Sequence, residues 1–395
     1  MPLTHGRIDK IDSTLLTRSP AFFANIRLNI QRLGQSNMAN RISETILIAI
    51  GLIKIVLIGA FIASLSSASA TFAANEPTAN QQMVCGGINL IEKMRLEEPK
   101  EYAILVNEAA KITNASSIFW KIEKDGVDPS YLLGTMHVSD PKVTTLSPAA
   151  KAALNGAKTI IVENTETFDP QKAAAAMVRL KHLTFLKSGQ SLDAQLKGNL
   201  KTKLQQAVTK RGIPFQIANR MQPWVVATIV ALPVCEMTAK QSGKRVLDHI
   251  IADHAIQKGK KLIGLETMEE QFTAIASLPP EFHFSALKET LTMGPSQAEN
   301  IIATMKALYQ TGSISMLMPL MKAVSPKAFT GKGTTAFQEA LITKRNKTMA
   351  ERSQKHLEKG GAFLAVGALH LPGETGLISL LREQGFKVTA IAAKS

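Results

Sequence analysis

Short apolar runs, each closed by a glycine or polar turn and followed by an amphipathic stretch, recur along the chain from residue 118 onward. Residues 118–122 predict a strand, Lys124-Asp-Gly126 a hairpin turn and 131–133 the returning strand, because Asp-Gly between apolar runs suits a tight hairpin. The order then becomes strand, loop, helix, strand. A helix at 146–157, capped by Ser147 with Pro148 in its first turn, leads to a strand at 159–162 and Glu163. A helix at 246–257 leads through Lys258-Gly-Lys-Lys261 to a strand at 262–265 and Glu266. A long helix at 335–359, stopped by Gly360 and Gly361, leads to a strand at 363–366. A helix at 376–384 and a strand at 386–392 close the chain. Another helix is expected at 88–112. The fold class is therefore α/β, a central mixed sheet with parallel βαβ units and flanking helices. The stretches 171–240 and 281–325 are rich in Met, Ala and Leu at helical spacing and read as cap-like insertions over a sheet edge. Methionines in such helices read as adaptable core.

The segments 131–163 and 363–391 share one layout: an apolar strand, Gly-x-x-His, a short loop, a helix and another apolar strand. Ligand sites in open α/β sheets gather at the carboxyl ends of strands. His137, His370, Glu163 and Glu266 all stand at such ends. Imidazole nitrogen and carboxylate oxygen suit a divalent Zn, Mn or Co ion, which activates water when positions stay open. His137, Glu163, Glu266 and His370 together form the candidate metal-binding and catalytic constellation. The glycine of each motif is expected to permit a sharp turn that lifts the imidazole over the strand end. About 14 helical residues, or roughly 21 Å, separate Arg345 from the end of its helix. The following strand covers about 20 Å in the opposite direction, which returns Arg345 to the level of His370. There it is a candidate catalytic and substrate-binding residue, joined in the second role by Asn346. The same reasoning sets Asp248 near the level of Glu266, with a surface salt bridge as its alternative. His249 and His254 are five apart on one helix and do not share the face of a zinc-protease pair. His182, His283 and His356 read as solvated or capping. No nucleophile elbow, phosphate loop or dinucleotide fingerprint occurs in the chain, so serine hydrolase, kinase and dehydrogenase readings lack support.

Composition changes this picture at the N-terminus. Residues 46–63 are almost wholly apolar, interrupted by Lys54, and Ala68-Ser-Ala70 follows. A basic start, an apolar core and small residues at a cleavage point describe a secretory signal. The chain divides into an N-terminal extension (1–37), a signal peptide (38–70), a linker (71–84) and one domain (85–395). Export to the periplasm is expected; the alternative is a membrane anchor at 46–63. Cys85 and Cys235 are the chain's two cysteines, either a disulfide or two buried thiols. The formal charge of +15 is scattered and aromatics make up only 5%, so nucleic acid is not an expected partner. A peptide or small-molecule substrate is.

Leu132-Leu-Gly-Thr-Met-His-Val-Ser-Asp-Pro141, Gly264-Leu-Glu-Thr267 with Glu269-Glu-Gln271, Arg345-Asn346 and Gly367-Ala-Leu-His-Leu-Pro-Gly-Glu374 together resemble the TraB/PrgY/GumN family. Pro233-Val-Cys-Glu236 is similar to a further element of that family. The resemblance implies an α/β fold of the erythromycin-esterase-like and ChaN-like type. Through the animal Tiki relatives it also implies metal-dependent hydrolysis of peptides, with His137 and His370 as ligands and Glu163 as ligand or general base. A metal-independent esterase-like hydrolase and a non-catalytic binder of peptides or surface components are the alternatives.

Overall fold

A computed structural model describes residues 85–324 and 332–392 of the chain. The expected extension (1–37), signal peptide (38–70), anchor alternative (46–63) and linker (71–84) lie outside the described residues.

Six strands form one mixed sheet: β1 (Phe119–Glu123), β2 (Ser130–Thr135), β3 (Thr159–Val162), β4 (Lys261–Gly264), β5 (Ala362–Gly367) and β6 (Lys387–Ala390). Their spatial order is β4-β3-β5-β2-β1-β6. The hairpin expected at Asp125-Gly126 joins β1 and β2 antiparallel, and β6 pairs antiparallel with β1. From β2 onward, β2, β5, β3 and β4 pair parallel. Period-two alternation sorts their side chains. Leu132, Leu364 and Val366 face one layer with Met349, Leu377 and Leu381. Leu133, Phe363 and Ala365 face the other, with Leu154, Leu247 and Ile251. Each fully buried side chain of this size is worth roughly 1.5–3 kcal/mol, and a one-residue slip in register would send each set into the opposite layer and mispack both.

The helices of the layers are α1 (Pro148–Gly156) and α2 (Leu247–Gln257) on one face, and α3 (Lys344–Leu357) and α4 (Leu377–Glu383) on the other. Ser147 caps α1 by accepting from Ala150 N–H at 3.2 Å, as the sequence suggests. The remaining helices build a separate apolar core that includes Met136, Val138 and Ala368, residues that follow the ends of β2 and β5. The insertions thus sit over the carboxyl edge.

Two expected helices are broken. The one at 88–112 is two, Leu90–Glu97 and Pro99–Ala110, because proline has no N–H to continue the first. The one at 335–359 contains a π-helical segment, Glu339–Thr343, that ends two residues before Arg345. A π turn adds one residue to the helical repeat and rotates every later side chain, a device found at functional sites. Among the described residues no single helix is long and apolar enough to cross a membrane. One pair bent by 89°, Pro223–Ala231 and Val234–Gln241, passes on length and composition only, and its first helix is buried throughout.

Candidate active site

β2 and β5 are parallel neighbours, with Gly134 opposite Val366 and Thr135 opposite Gly367. This register sets the two Gly-x-x-His segments side by side. After β5 the chain makes a single 3₁₀ turn, Ala368–His370. Glu163 leaves β3 and Glu266 leaves β4, and the Glu266 N–H donates to the Glu163 carbonyl at 2.7 Å. All four ionisable residues named from the sequence therefore share one sheet edge.

The role expected of the glycines needs correction. Gly367 has an ordinary φ of −53°, and neither Gly134 nor Gly367 is left-handed. What they supply is space. A Cβ on Gly134 would lie 2.9 Å from the Ala368 Cα. A Cβ on Gly367 would lie 3.1 Å from Glu163 Oε1, 3.5 Å from His370 Cδ2 and 3.9 Å from His137 Nε2. These last three distances mark the point on which the site converges.

Each histidine is held from behind. His370 Nδ1 lies 2.6 Å from Asn346 Oδ1, and the Asn346 amide donates to the Thr375 carbonyl at 2.7 Å. That second bond fixes the amide with its oxygen toward His370, so Nδ1 carries the proton and Nε2 keeps its lone pair. His370 Nε2 faces Glu163 Oε1 at 3.9 Å. Burial, reinforced by the nearby Arg345 guanidinium, lowers the His370 pKa to about 3, so the ring is neutral. His137 Nδ1 lies 2.8 Å from Asp248 Oδ2, while Thr135 Oγ1 donates to Asp248 Oδ1 at 2.8 Å. Asp248, for which a surface salt bridge was the alternative, is buried beneath the imidazole instead. Asn346, a candidate substrate contact from the sequence, is wholly buried behind His370.

Arg345 reaches the site as the helix-length argument expects, and both carboxylates share it. Its Nη2 donates to Glu163 Oε2 at 2.8 Å and to Glu266 Oε2 at 2.6 Å, and its Nε donates to Glu266 Oε1 at 2.9 Å. Gln271 Nε2 bridges the same two Oε2 atoms at 3.2 Å each. Glu163 Oε1 accepts from Gly367 N–H at 2.6 Å. Burial works to raise the Glu163 pKa, but the facing Arg345 charge prevails and holds it at about 2. Burial likewise opposes the charge on Arg345, and the two carboxylates keep it raised above its ordinary value.

The loop after His137 has its own supports. Ser139 N–H donates to buried Glu236 at 2.7 Å, Lys240 donates to the His137 carbonyl at 3.0 Å, and Lys306 pairs with Asp140 at 2.7 Å. Burial lowers the Lys240 pKa against the pull of Glu236 and Asp248. Cys235, beside Glu236, is bonded to Cys85 as a disulfide. Sequence reasoning assigned no site role to Gln271, Lys240 or Tyr309, whose hydroxyl donates to the Gly134 carbonyl at 2.9 Å. Gln271 had two legible signals, its place in the Glu269-Glu-Gln271 motif and just inside a helix that starts with the Thr267/Glu270 capping box.

A cavity of about 80 Å³ opens over these groups, with His137, Glu163, Arg345, Gly367 and His370 at its floor and Ile302, Met305 and Leu308 among its walls. Two imidazole Nε2 atoms, each backed at Nδ1 by an oxygen, are the arrangement that orients histidine ligands of a metal. With the adjoining carboxylate they suit Zn, Mn or Co in kind. As placed, no three His, Cys, Asp or Glu side chains among the described residues stand close enough to hold an ion together.

A family model described as the TraB/PrgY/gumN family matches residues 118–390. Among curated proteins, the chain is 25% identical over 320 residues to the metalloprotease TIKI2 of Danio rerio, covering 69% of this chain and 60% of that one. It is 24% identical over 318 residues to the metalloprotease TIKI1 of Homo sapiens, covering 69% and 61%. The chain thus spans about three fifths of the length of these relatives. No solved structure matches it.

Proposed function

The chain belongs to the TraB/PrgY/gumN family, and from that premise we propose that it is an exported, metal-dependent hydrolase acting on peptides. One arrangement carries the reading: two neighbouring Gly-x-x-His segments turn two imidazoles, each held at Nδ1, toward a point beside an ionised carboxylate. The names of the similar metalloproteases point the same way. We read the fold as the erythromycin-esterase-like/ChaN-like type, and the Cys85–Cys235 disulfide as a mark of an oxidising compartment such as the periplasm.

His137 and His370 are the residues that would hold a divalent ion (Mn, Co or Zn), which when bound supplies Lewis-acid polarisation of a carbonyl and easier ionisation of water. Glu163, kept as a carboxylate by Arg345, orients the attacking water and accepts its proton. The water oxygen adds to the peptide carbonyl carbon and the C–N bond breaks. The proton passes to the leaving nitrogen, so water and an amide become an acid and an amine. Glu266 and Gln271 hold Arg345 and Glu163 in register rather than touching substrate.

Metal analysis of the purified domain, wild type beside His137→Ala and His370→Ala, tests the assignment. About one ion per chain in the wild type and loss in both variants is expected, together with chelator-sensitive peptidase activity restored by Mn²⁺ or Co²⁺. Equal metal content in all three proteins would overturn it. A second reading uses the same residues without an ion. It rests on the placing of His370, whose Nε2 stands 3.9 Å from Glu163 Oε1 while Asn346 holds Nδ1. Turnover that is unchanged by chelator but lost in His370→Ala would select it.

A further inference from the structure

We propose that the cavity above Gly367 seats an uncharged, apolar side chain of an internal peptide segment; this rests on the hydrolase reading and adds its substrate class. The walls give the first argument. Ile302, Met305 and Leu308 descend from the helix Pro295–Gln310, and Ile314 and Leu317 follow it, so one side of the cavity is aliphatic. Met305 and Leu369 are only half-buried and stand where an entering chain would meet them. A lysine or aspartate side chain placed there would lose its hydration against carbon.

The floor gives the second argument. Arg345 is the one Lys or Arg among the residues that line the cavity, and its guanidinium is shared between Glu163 and Glu266. Lys240 and Lys306, close to the His137 loop, are taken by the His137 carbonyl and by Asp140. A free carboxylate at the end of a peptide would therefore meet Glu163 and no unpaired Lys or Arg of the lining, and the ion that His137 and His370 would hold could answer it only in place of the attacking water. Glu163 Oε2 is engaged by Arg345 and Gln271, and Oε1, which already accepts from Gly367 N–H, is left to the attacking water rather than to a substrate ammonium. Both charge signs are disfavoured at this position, and an interior residue of a chain satisfies the site better than either terminus.

The test uses peptides acetylated and amidated at their ends, identical except for one residue: Leu, Met, Ala, Asp or Lys. A further Leu peptide ends in a free carboxylate directly after that residue. For cleavage by the wild-type protein, kcat/KM for Leu and Met should exceed that for Ala by about tenfold or more, and that for Asp and Lys further still. The free-carboxylate peptide should fall with the charged ones. Met305→Ala enlarges the cavity and should shift the preference from Leu toward Phe. Binding of the same peptides to Glu163→Gln, followed by fluorescence anisotropy, separates the two readings. Apolar preference in binding with no cleavage by the wild type keeps the cavity assignment and sinks the hydrolase reading. Cleavage without side-chain preference does the reverse. Neither binding nor cleavage of any peptide overturns the cavity assignment as well.

Discussion

His137 Nδ1 stands 2.8 Å from Asp248 Oδ2, and this contact decides which imidazole nitrogen faces the cavity. The carboxylate packs against Nδ1, and Nε2 is the nitrogen left toward Gly367, 3.9 Å from where a Cβ on that glycine would stand. Thr135, two residues before His137, fixes the other Asp248 oxygen, so strand, helix α2 and imidazole are held as one unit. Asp248→Ala should weaken Mn²⁺ binding by about 10–100-fold while the chain still folds. Competition titration with a metal-sensitive dye reads this directly. Unchanged affinity would mean that Asp248 only packs against the ring.

Arg345 answers two buried carboxylates at once. Removing one partner of such a group strands the rest without compensation, at about 3–5 kcal/mol. Arg345→Met should therefore lower stability by about that amount in urea denaturation. Adding Glu266→Gln should recover part of the loss, because one stranded charge is gone; strictly additive losses would contradict a shared triad.

Acid should act on the metal-free protein through several groups, two of them in the site and a third, His249, lowered by burial to about 4. His370 is lowered from 6.5 to about 3, chiefly by burial, so the unfolded chain takes up a proton that the folded chain refuses. Its contribution is present above pH 6.5 and is lost as pH falls from there through about 3. Glu163, held down by Arg345 against its burial, adds a second loss from 4.5 through about 2. Stability should fall steadily from neutral pH toward pH 4, and His370→Gln should flatten that slope. An equally steep slope in the variant would assign the acid sensitivity elsewhere.

The Cys85–Cys235 bond closes a loop with a sequence separation of 150. Chain-entropy reasoning puts its worth at about 4–5 kcal/mol. The Cys85→Ser/Cys235→Ser double variant should lose stability on that order. Because Glu236 beside Cys235 accepts from Ser139, the variant should also show faster amide exchange in the loop after His137. Protection in that loop equal to wild type would uncouple the disulfide from the site.

Much of this site was legible because parallel strands place their carboxyl ends together whatever the details of packing. The strand-then-histidine pattern located His137 and His370, and the glutamates closing two other apolar runs located Glu163 and Glu266. The helix-length estimate carried Arg345 to their level even though a π turn precedes it. Pairing direction was less legible: nothing in an apolar run says that β5 lies between β3 and β2. Partners behind the first residues were harder still. Asp248 and Asn346 each join a histidine to a second partner, Thr135 and Thr375, and Gln271 touches both glutamates from a helix whose periodicity marks it only as inward-facing.

The two motif glycines should respond differently to alanine, although the sequence treats them alike. On Gly134 the added Cβ meets backbone, the Ala368 Cα at 2.9 Å, and backbone in a packed turn yields poorly. Gly134→Ala should then cost about 1–3 kcal/mol by overpacking and separate β2 from the His370 turn. On Gly367 the Cβ enters the space bounded by Glu163 Oε1 at 3.1 Å and His137 Nε2 at 3.9 Å. Those are side-chain atoms bordering a cavity, with room to move by a few tenths of an ångström. Gly367→Ala should therefore keep more of its stability than Gly134→Ala yet lose metal binding and turnover, because the methyl occupies the point where the groups converge. Thermal unfolding and metal titration of the two variants side by side decide it: if Gly367→Ala binds metal as the wild type does, that point is not the centre of the site.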